Sequence, residues 1–305
     1  MKKIILASII SVIALAMSGA EFISWQKSVP GNSLEVHQID NPREIGDIYI
    51  VIAPDKTVSL IDTGVINTGK SVLIKALEKR NIKKIDQLII SHFHSDHVGG
   101  ALTLLADPAF EIGKIICTFP PEEDIVPGEM SSLKFYRSVK IMAQDRNIPW
   151  IQVNCGDVLN FGGDVTAEVI GGATPYAAHR IGDHNGQSLV FKLKYGDFTM
   201  LFTGDLSWAQ EKVIFANKGN FKCDVLKMAH HGGAGSNSDE MVDAANPIIA
   251  LATQPEWLAR DQRGIRVEKM LAKRNIPYFR SWEYPDLILF SNGKTFGLYN
   301  PLNKC

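Results

Sequence analysis

Six consecutive residues, His92-Phe93-His94-Ser95-Asp96-His97, narrow what this chain can fold into more than any other stretch of it. They follow directly on residues 85–90, a run that reads as a buried strand. In an extended segment, residues two apart point the same way. His92 and His94 can therefore grip one ion, and Asp96 and His97, just past the turn, lie within reach of a second. Imidazole and carboxylate are the usual donors to zinc and related divalent cations. Gly99 and Gly100 come next and are expected to allow a tight turn into a helix. Chance seldom places three histidines and an aspartate so close together.

The remaining histidines reinforce the pattern. The chain has eight, and six fall in three short segments: His92, His94 and His97; His184; and His230 with His231. Each segment adjoins a predicted strand, where a loop would emerge. Only His37 and His179 lie outside them. Strands are expected at 36–39, 48–53, 58–61, 115–117, 150–153, 165–170, 188–194, 198–202, 225–228, 247–252, 286–290 and 294–299. A turn at Pro54-Asp55-Lys56 joins the second and third of these. Helical spacing marks 69–81, 129–145, 207–216 and 265–274. Runs of strands broken by helices predict an α/β architecture, two β-sheets face to face with helices outside: a four-layer αββα sandwich. No composition break or long linker interrupts residues 21–305, which are expected to form one domain.

A His-x-His-x-Asp-His run followed by a glycine pair resembles the signature of the metallo-β-lactamase superfamily. Three further segments resemble its other motifs. Ser59-Leu60-Ile61-Asp62-Thr63-Gly64 is similar to the strand-turn before the histidines, and the likeness implies that Asp62 braces the metal loop by hydrogen bonding. Thr203-Gly204-Asp205 resembles the motif that supplies a bridging carboxylate. His230-His231-Gly232 resembles the last ligand motif. His230 is favoured as the ligand because it comes first off the strand, with His231 left beside it or facing substrate. For the third motif the spacing of His184-Asn185-Gly186-Gln187-Ser188 selects His184, and His179 in the same loop competes. The resemblance thus implies His92, His94 and His184 on one ion and Asp96, His97 and His230 on another, with Asp205 bridging. Asp96 and Asp205 are the carboxylates expected to act in catalysis. Zinc is the first choice of metal for so nitrogen-rich a set, with manganese or iron as alternatives.

Within the superfamily, the stretches NGQSLVFKLKYGDFTMLFTGDL and CDVLKMAHHGGAGSNS look similar to the soluble hydrolase domain of bacterial DNA-uptake competence proteins and to related phosphoesterases. Two segments depart from that pattern: residues 41–47 (NPREIGD), where the family carries Gly-Gln-Gly-Asp, and residues 259–264 (ARDQRG), in place of a Gly-His-Pro loop. A bridging carboxylate and no ligand cysteine resemble the phosphodiesterase, lactonase and glyoxalase II branches more than true β-lactamases. Two ions sharing a hydroxide would then attack a phosphorus or carbonyl centre. A phosphoester or phosphodiester ranks first as substrate; a lactone, ester or β-lactam ranks second. Ser236, after the histidine pair, is a candidate hydrogen-bond donor to phosphate. A non-catalytic binding or competence accessory role is the reading from another class, and the complete set of ligand types speaks against it.

Charge bears on the partner. With 32 basic and 33 acidic residues, the net charge is -1. A small phosphoester fits that balance; nucleic acid remains open but draws no support from charge. Lys2, Lys3, the apolar run at 4–17 and Ser18-Gly19-Ala20 read as a signal peptide over residues 1–20, cleaved after Ala20. The mature chain is therefore expected in the periplasm or outside the cell, with no stable membrane span after cleavage. Of the four cysteines, Cys117 and Cys155 are candidates for pairing, against the alternative that all four stay free.

Overall fold

A computed structural model describes residues 20–172, 184–233 and 235–302. The expected signal segment before Ala20, His179 and Cys305 lie outside the described residues.

The first half of the chain runs β1 (Glu21–Trp25), β2 (Leu34–Gln38), β3 (Tyr49–Ile52), β4 (Val58–Ile61), α1 (Lys75–Lys79), β5 (Lys84–Ile85), β6 (Gln87–Ile90), α2 (Ser95–Ala106), β7 (Glu111–Ile112), β8 (Ile115–Cys117), α3 (Met130–Asp145) and β9 (Trp150–Gln152). The second half runs β10 (Val158–Gly162), β11 (Val165–Gly171), β12 (Val190–Tyr195), β13 (Phe198–Phe202), α4 (Trp208–Ala216), β14 (Val225–Lys227), α5 (Asp239–Ala245), β15 (Ile249–Ala252), α6 (Glu256–Ala259), α7 (Gln262–Lys273), β16 (Tyr278–Arg280), β17 (Leu287–Ser291) and β18 (Thr295–Tyr299). A nine-stranded sheet has the order β1-β18-β17-β2-β3-β4-β6-β8-β9, and a seven-stranded sheet runs β10 to β16 in sequence. The last two strands thus return to the first sheet.

Side-chain alternation sorts the core into three layers. On β6, Ile89 enters the cluster between the sheets, while Leu88 and Ile90 join the cluster under the outer helices. On β13, Met200 and Phe202 face the middle and Leu201 faces out. Both faces of β6, β14 and β15 are covered, so every residue of these strands is buried. Tyr49 meets Phe202 across the two sheets at a ring centroid distance of 5.6 Å, and Phe202 stacks on its cross-strand neighbour Phe191 at 5.0 Å. Helices lie over both outer faces, so the expected αββα sandwich is the observed architecture.

Several local expectations change. Helix α2 already begins at Ser95, so Gly99 and Gly100 lie inside it rather than in a turn before it. Their role is close packing: a Cβ on Gly99 would come 2.4 Å from the Ile66 nitrogen, and one on Gly100 2.2 Å from the Thr63 oxygen. The helix expected over 69–81 starts as a wider π-type coil at Gly69–Ile74 and ends at Lys79. Strands β1, β7, β10 and β16 and helices α5 and α6 went unanticipated; each is short, and β1, β10 and β16 lie at sheet edges. Cys117, Cys155 and Cys223 are free thiols, the first and third buried. No helix among the described residues is long and apolar enough to cross a membrane.

Candidate metal centre

Strand direction brings the candidate residues to one edge of the sandwich. Strands β4 and β6 run parallel, so Asp62 and the His92 segment leave at the same end. Strand β3 is antiparallel to β4, so Asp47, just before it, arrives there too. In the second sheet, β13, β14 and β15 are parallel and deliver Asp205, the His230–His231 pair and Thr253. Strand β12 is antiparallel to β13 and starts at that edge, just after His184. Asp62, His230 and His231 have φ of 56°, 52° and 54°. Such left-handed bends cost a non-glycine residue energy and tend to persist where side chains must be aimed.

Hydrogen bonds fix which ring nitrogen faces the centre. The Ser91 amide and hydroxyl both donate to Asp62, at 2.7 Å each. With its proton committed, the Ser91 hydroxyl accepts from His92 Nδ1 at 3.1 Å, which leaves His92 Nε2 as the bare nitrogen. His97 Nδ1 donates to Asp62 Oδ2 at 2.8 Å. His94 Nε2 donates to Glu129 at 3.1 Å. His231 Nδ1 faces Asp47 Oδ1 at 3.1 Å and the Thr253 carbonyl at 3.2 Å. A histidine whose second nitrogen is held this way is the usual form of a metal ligand.

The inward-facing atoms form two adjoining pockets. In the first, the His92 and His94 rings lie 4.7 Å apart and the His94 and His184 rings 6.0 Å apart. The Nε2 atoms of His92 and His184 are buried with no hydrogen-bond partner among the described residues. In the second, His97 Nε2 lies 3.1 Å from Asp205 Oδ1, without the alignment of a hydrogen bond. His231 Nε2 lies 3.2 Å from Asp96 and 3.4 Å from Asp205. Donor atoms of Asp47, His97, Asp205 and His231 all fall within 4.8 Å of one another. The two pockets meet through His92 and His97, whose rings are 4.1 Å apart. Orphaned nitrogens and converging carboxylates, most of them buried, are the donor set a pair of divalent cations would satisfy.

Electrostatics differ between the pockets. Burial, then the neighbouring His97, pushes His92 well below the usual imidazole range. Burial likewise takes His184 down to about 4. Burial also acts against protonation of His97 and His231, but the carboxylates around them reverse it. Asp205 and Asp62 hold His97 well above its ordinary value, and Asp205 and Asp47 do the same for His231. Asp205 itself, despite burial, is held well below the carboxylate range by His97 and His231.

One expectation is corrected by these positions. His231, not His230, enters the cluster: it is fully buried, whereas the His230 side chain is 38% exposed, with Nε2 3.9 Å from Asp205. The left-handed bend at both residues turns the second ring inward and leaves the first at the rim. Ser236 is buried, its Oγ has no hydrogen-bond partner among the described residues, and its carbonyl accepts from Arg266 at 2.7 Å. Several residues that the sequence reading missed support the site. Asp47 holds His231 and pairs with Lys227 and the Thr253 hydroxyl. Lys227, buried on β14, also donates to the Gly204 carbonyl at 2.8 Å beside Asp205. The Asn237 amide clamps Ala229 through two 2.8 Å bonds and so sets the histidine loop.

The family model described as metallo-beta-lactamase superfamily matches residues 42–250. The chain is 29% identical to ComE operon protein 3 of Bacillus subtilis over 71% of its length and 28% of the relative's. It is 27% identical to competence protein ComA of Neisseria gonorrhoeae over 77% of its length and 29% of that protein's. It thus spans less than a third of either relative. Among solved structures, a diphosphatase of the PhnP family aligns over 84% of this chain and 96% of its own, with 14% identity and a TM-score of 0.48.

Proposed function

Because the chain belongs to the metallo-β-lactamase superfamily of metal-dependent hydrolases, we propose that it is an exported phosphoesterase, with phosphodiesters as its first substrates, that works with two divalent ions. Zinc is the first choice for a set of five imidazoles, with manganese or iron as alternatives. The observation that carries the reading is the convergence of inward nitrogens on Asp205 from both sheets, with the outer nitrogens of His92, His94, His97 and His231 already engaged. His92, His94 and His184 would hold one ion; Asp96, His97 and His231 the other; Asp205 both. Bound there, the ions would bring the pKa of a water toward ~7 and neutralise charge developing on substrate oxygens. Asp62 and Asp47 keep His97 and His231 aimed. His230, at the rim, would meet the substrate. Among the described residues no cysteine joins the donors, and this together with a shared carboxylate favours phosphoester over β-lactam cleavage. Export rests on the charged and apolar segment before Ala20.

The test is a substrate panel on the zinc-loaded protein: a generic phosphodiester, a phosphomonoester, a lactone and nitrocefin, with His94→Ala as control. Turnover of the phosphodiester that the control loses is expected. Turnover of nitrocefin alone would reverse the ranking, and a folded protein that binds no metal and turns over nothing would favour a binding role.

A further inference from the structure

Glu129 lies just before α3, 35 residues from His94 and 55 from His184 in the chain. Its carboxylate nevertheless gathers three donors from three parts of the molecule. His94 Nε2 donates at 3.1 Å, the His184 backbone amide at 3.3 Å and the Ser132 hydroxyl at 3.0 Å. The Glu129 side chain is only 15% exposed. Behind it, α3 packs on α2, and Tyr136 stacks on Phe119 with ring centroids 3.8 Å apart. Phe119 in turn lies against the His184 ring at 5.2 Å.

We propose that Glu129 is the positioning residue of the first metal pocket, tying the His94 ring to the backbone that carries His184. This rests on the two-ion reading above. Two consequences follow from the bonds. By taking the Nε2 proton of His94, Glu129 leaves Nδ1 as that ring's lone pair and fixes the ring's orientation. By taking the His184 amide, it sets how far the segment feeding the second sheet sits from the histidine run leaving the first. Its charge also gives the first pocket a carboxylate beside the rings, a part that Asp62 and Asp47 play in the second.

The test measures zinc affinity by chelator competition, and visible spectra of the cobalt-substituted protein, for the full chain and for Glu129→Ala, Glu129→Gln and Ser132→Ala. In Glu129→Ala one of two ions is expected to bind roughly 10–100-fold more weakly, the scale of losing a histidine's outer partner. The other ion should stay within about threefold, and the cobalt bands of one site should shift. Glu129→Gln keeps an acceptor oxygen and should fall between Ala and wild type. Ser132→Ala should act in the same direction but less. The Gln and Ser132 variants decide the matter if the Ala variant does not fold. Equal weakening of both ions, or wild-type affinity at both sites in these variants, would overturn the proposal and leave the two-ion reading standing. A wild-type chain that holds fewer than two ions would overturn both.

Discussion

The two pockets at the sheet edge are built on opposite electrostatic plans. The first is lined by imidazoles, and burial keeps His92 and His184 neutral at pH 7. The second sets His97 and His231 among four carboxylates, Asp47, Asp62, Asp96 and Asp205, which hold both rings protonated. Protons therefore do in the second pocket what a cation would do. A buried cluster of acids needs positive charge from some source. The first pocket is ready to accept an ion as it stands, while the second must release protons to take one.

Asp205 belongs to both pockets, so its loss should have the largest effect. Asp205→Asn is expected to lower kcat/KM about a thousandfold, the scale of removing a principal transition-state stabiliser, and to leave fewer than two ions bound by elemental analysis. Retention of both ions would show that the pockets do not share it. Lys227→Met should come next. It strands the Asp47 carboxylate in the interior and should destabilise the protein by about 3 kcal/mol in urea unfolding, as expected when one partner of a buried pair is removed. A change within ±0.5 kcal/mol would mean that His231 and Thr253 suffice for Asp47. The histidine pair gives a sharper contrast. His231→Ala should weaken the second ion about a hundredfold, and His230→Ala less than tenfold, with its loss falling on KM. The reverse order would restore the expectation drawn from sequence.

The smallest expected effect concerns pH. The folded pKa values of His97 and His231 are raised, so both bind protons at pH 7 and lose them as pH rises. Affinity for the second ion should therefore climb about tenfold per pH unit for each proton released. Those of His92 and His184 are lowered, so these two rings carry no proton at pH 7 for the first ion to displace. Calorimetry in buffers of different ionisation enthalpy would read the proton count of each step. Equal proton release at both steps would erase the distinction between the pockets.

Legibility in the sequence followed the same division. The His92–His97 run is contiguous at a strand-to-helix joint, so residue type and spacing expose it at once. The second sheet contributes His184, Asp205 and His231 from separate loops, and there the reading depended on resemblance. The His230–His231 choice went astray because order along the chain carries no information about a left-handed bend at both residues. The supporting groups left fainter traces. Asp47 is a single acid ahead of an apolar strand, and Lys227 a lone base within one; only the fold makes them neighbours. Glu129 reads as an ordinary helix-start residue until tertiary packing lays it against His94. The sandwich itself was plain, because alternating apolar strands and spaced helices leave few other ways to bury both faces of two sheets.

Anomalous scattering at the zinc edge from zinc-soaked crystals would test the central claim most directly. Two peaks are expected on either side of the Asp205 carboxylate, one among His92, His94 and His184 and one among Asp96, His97 and His231. A single peak, or two that do not flank Asp205, would contradict it.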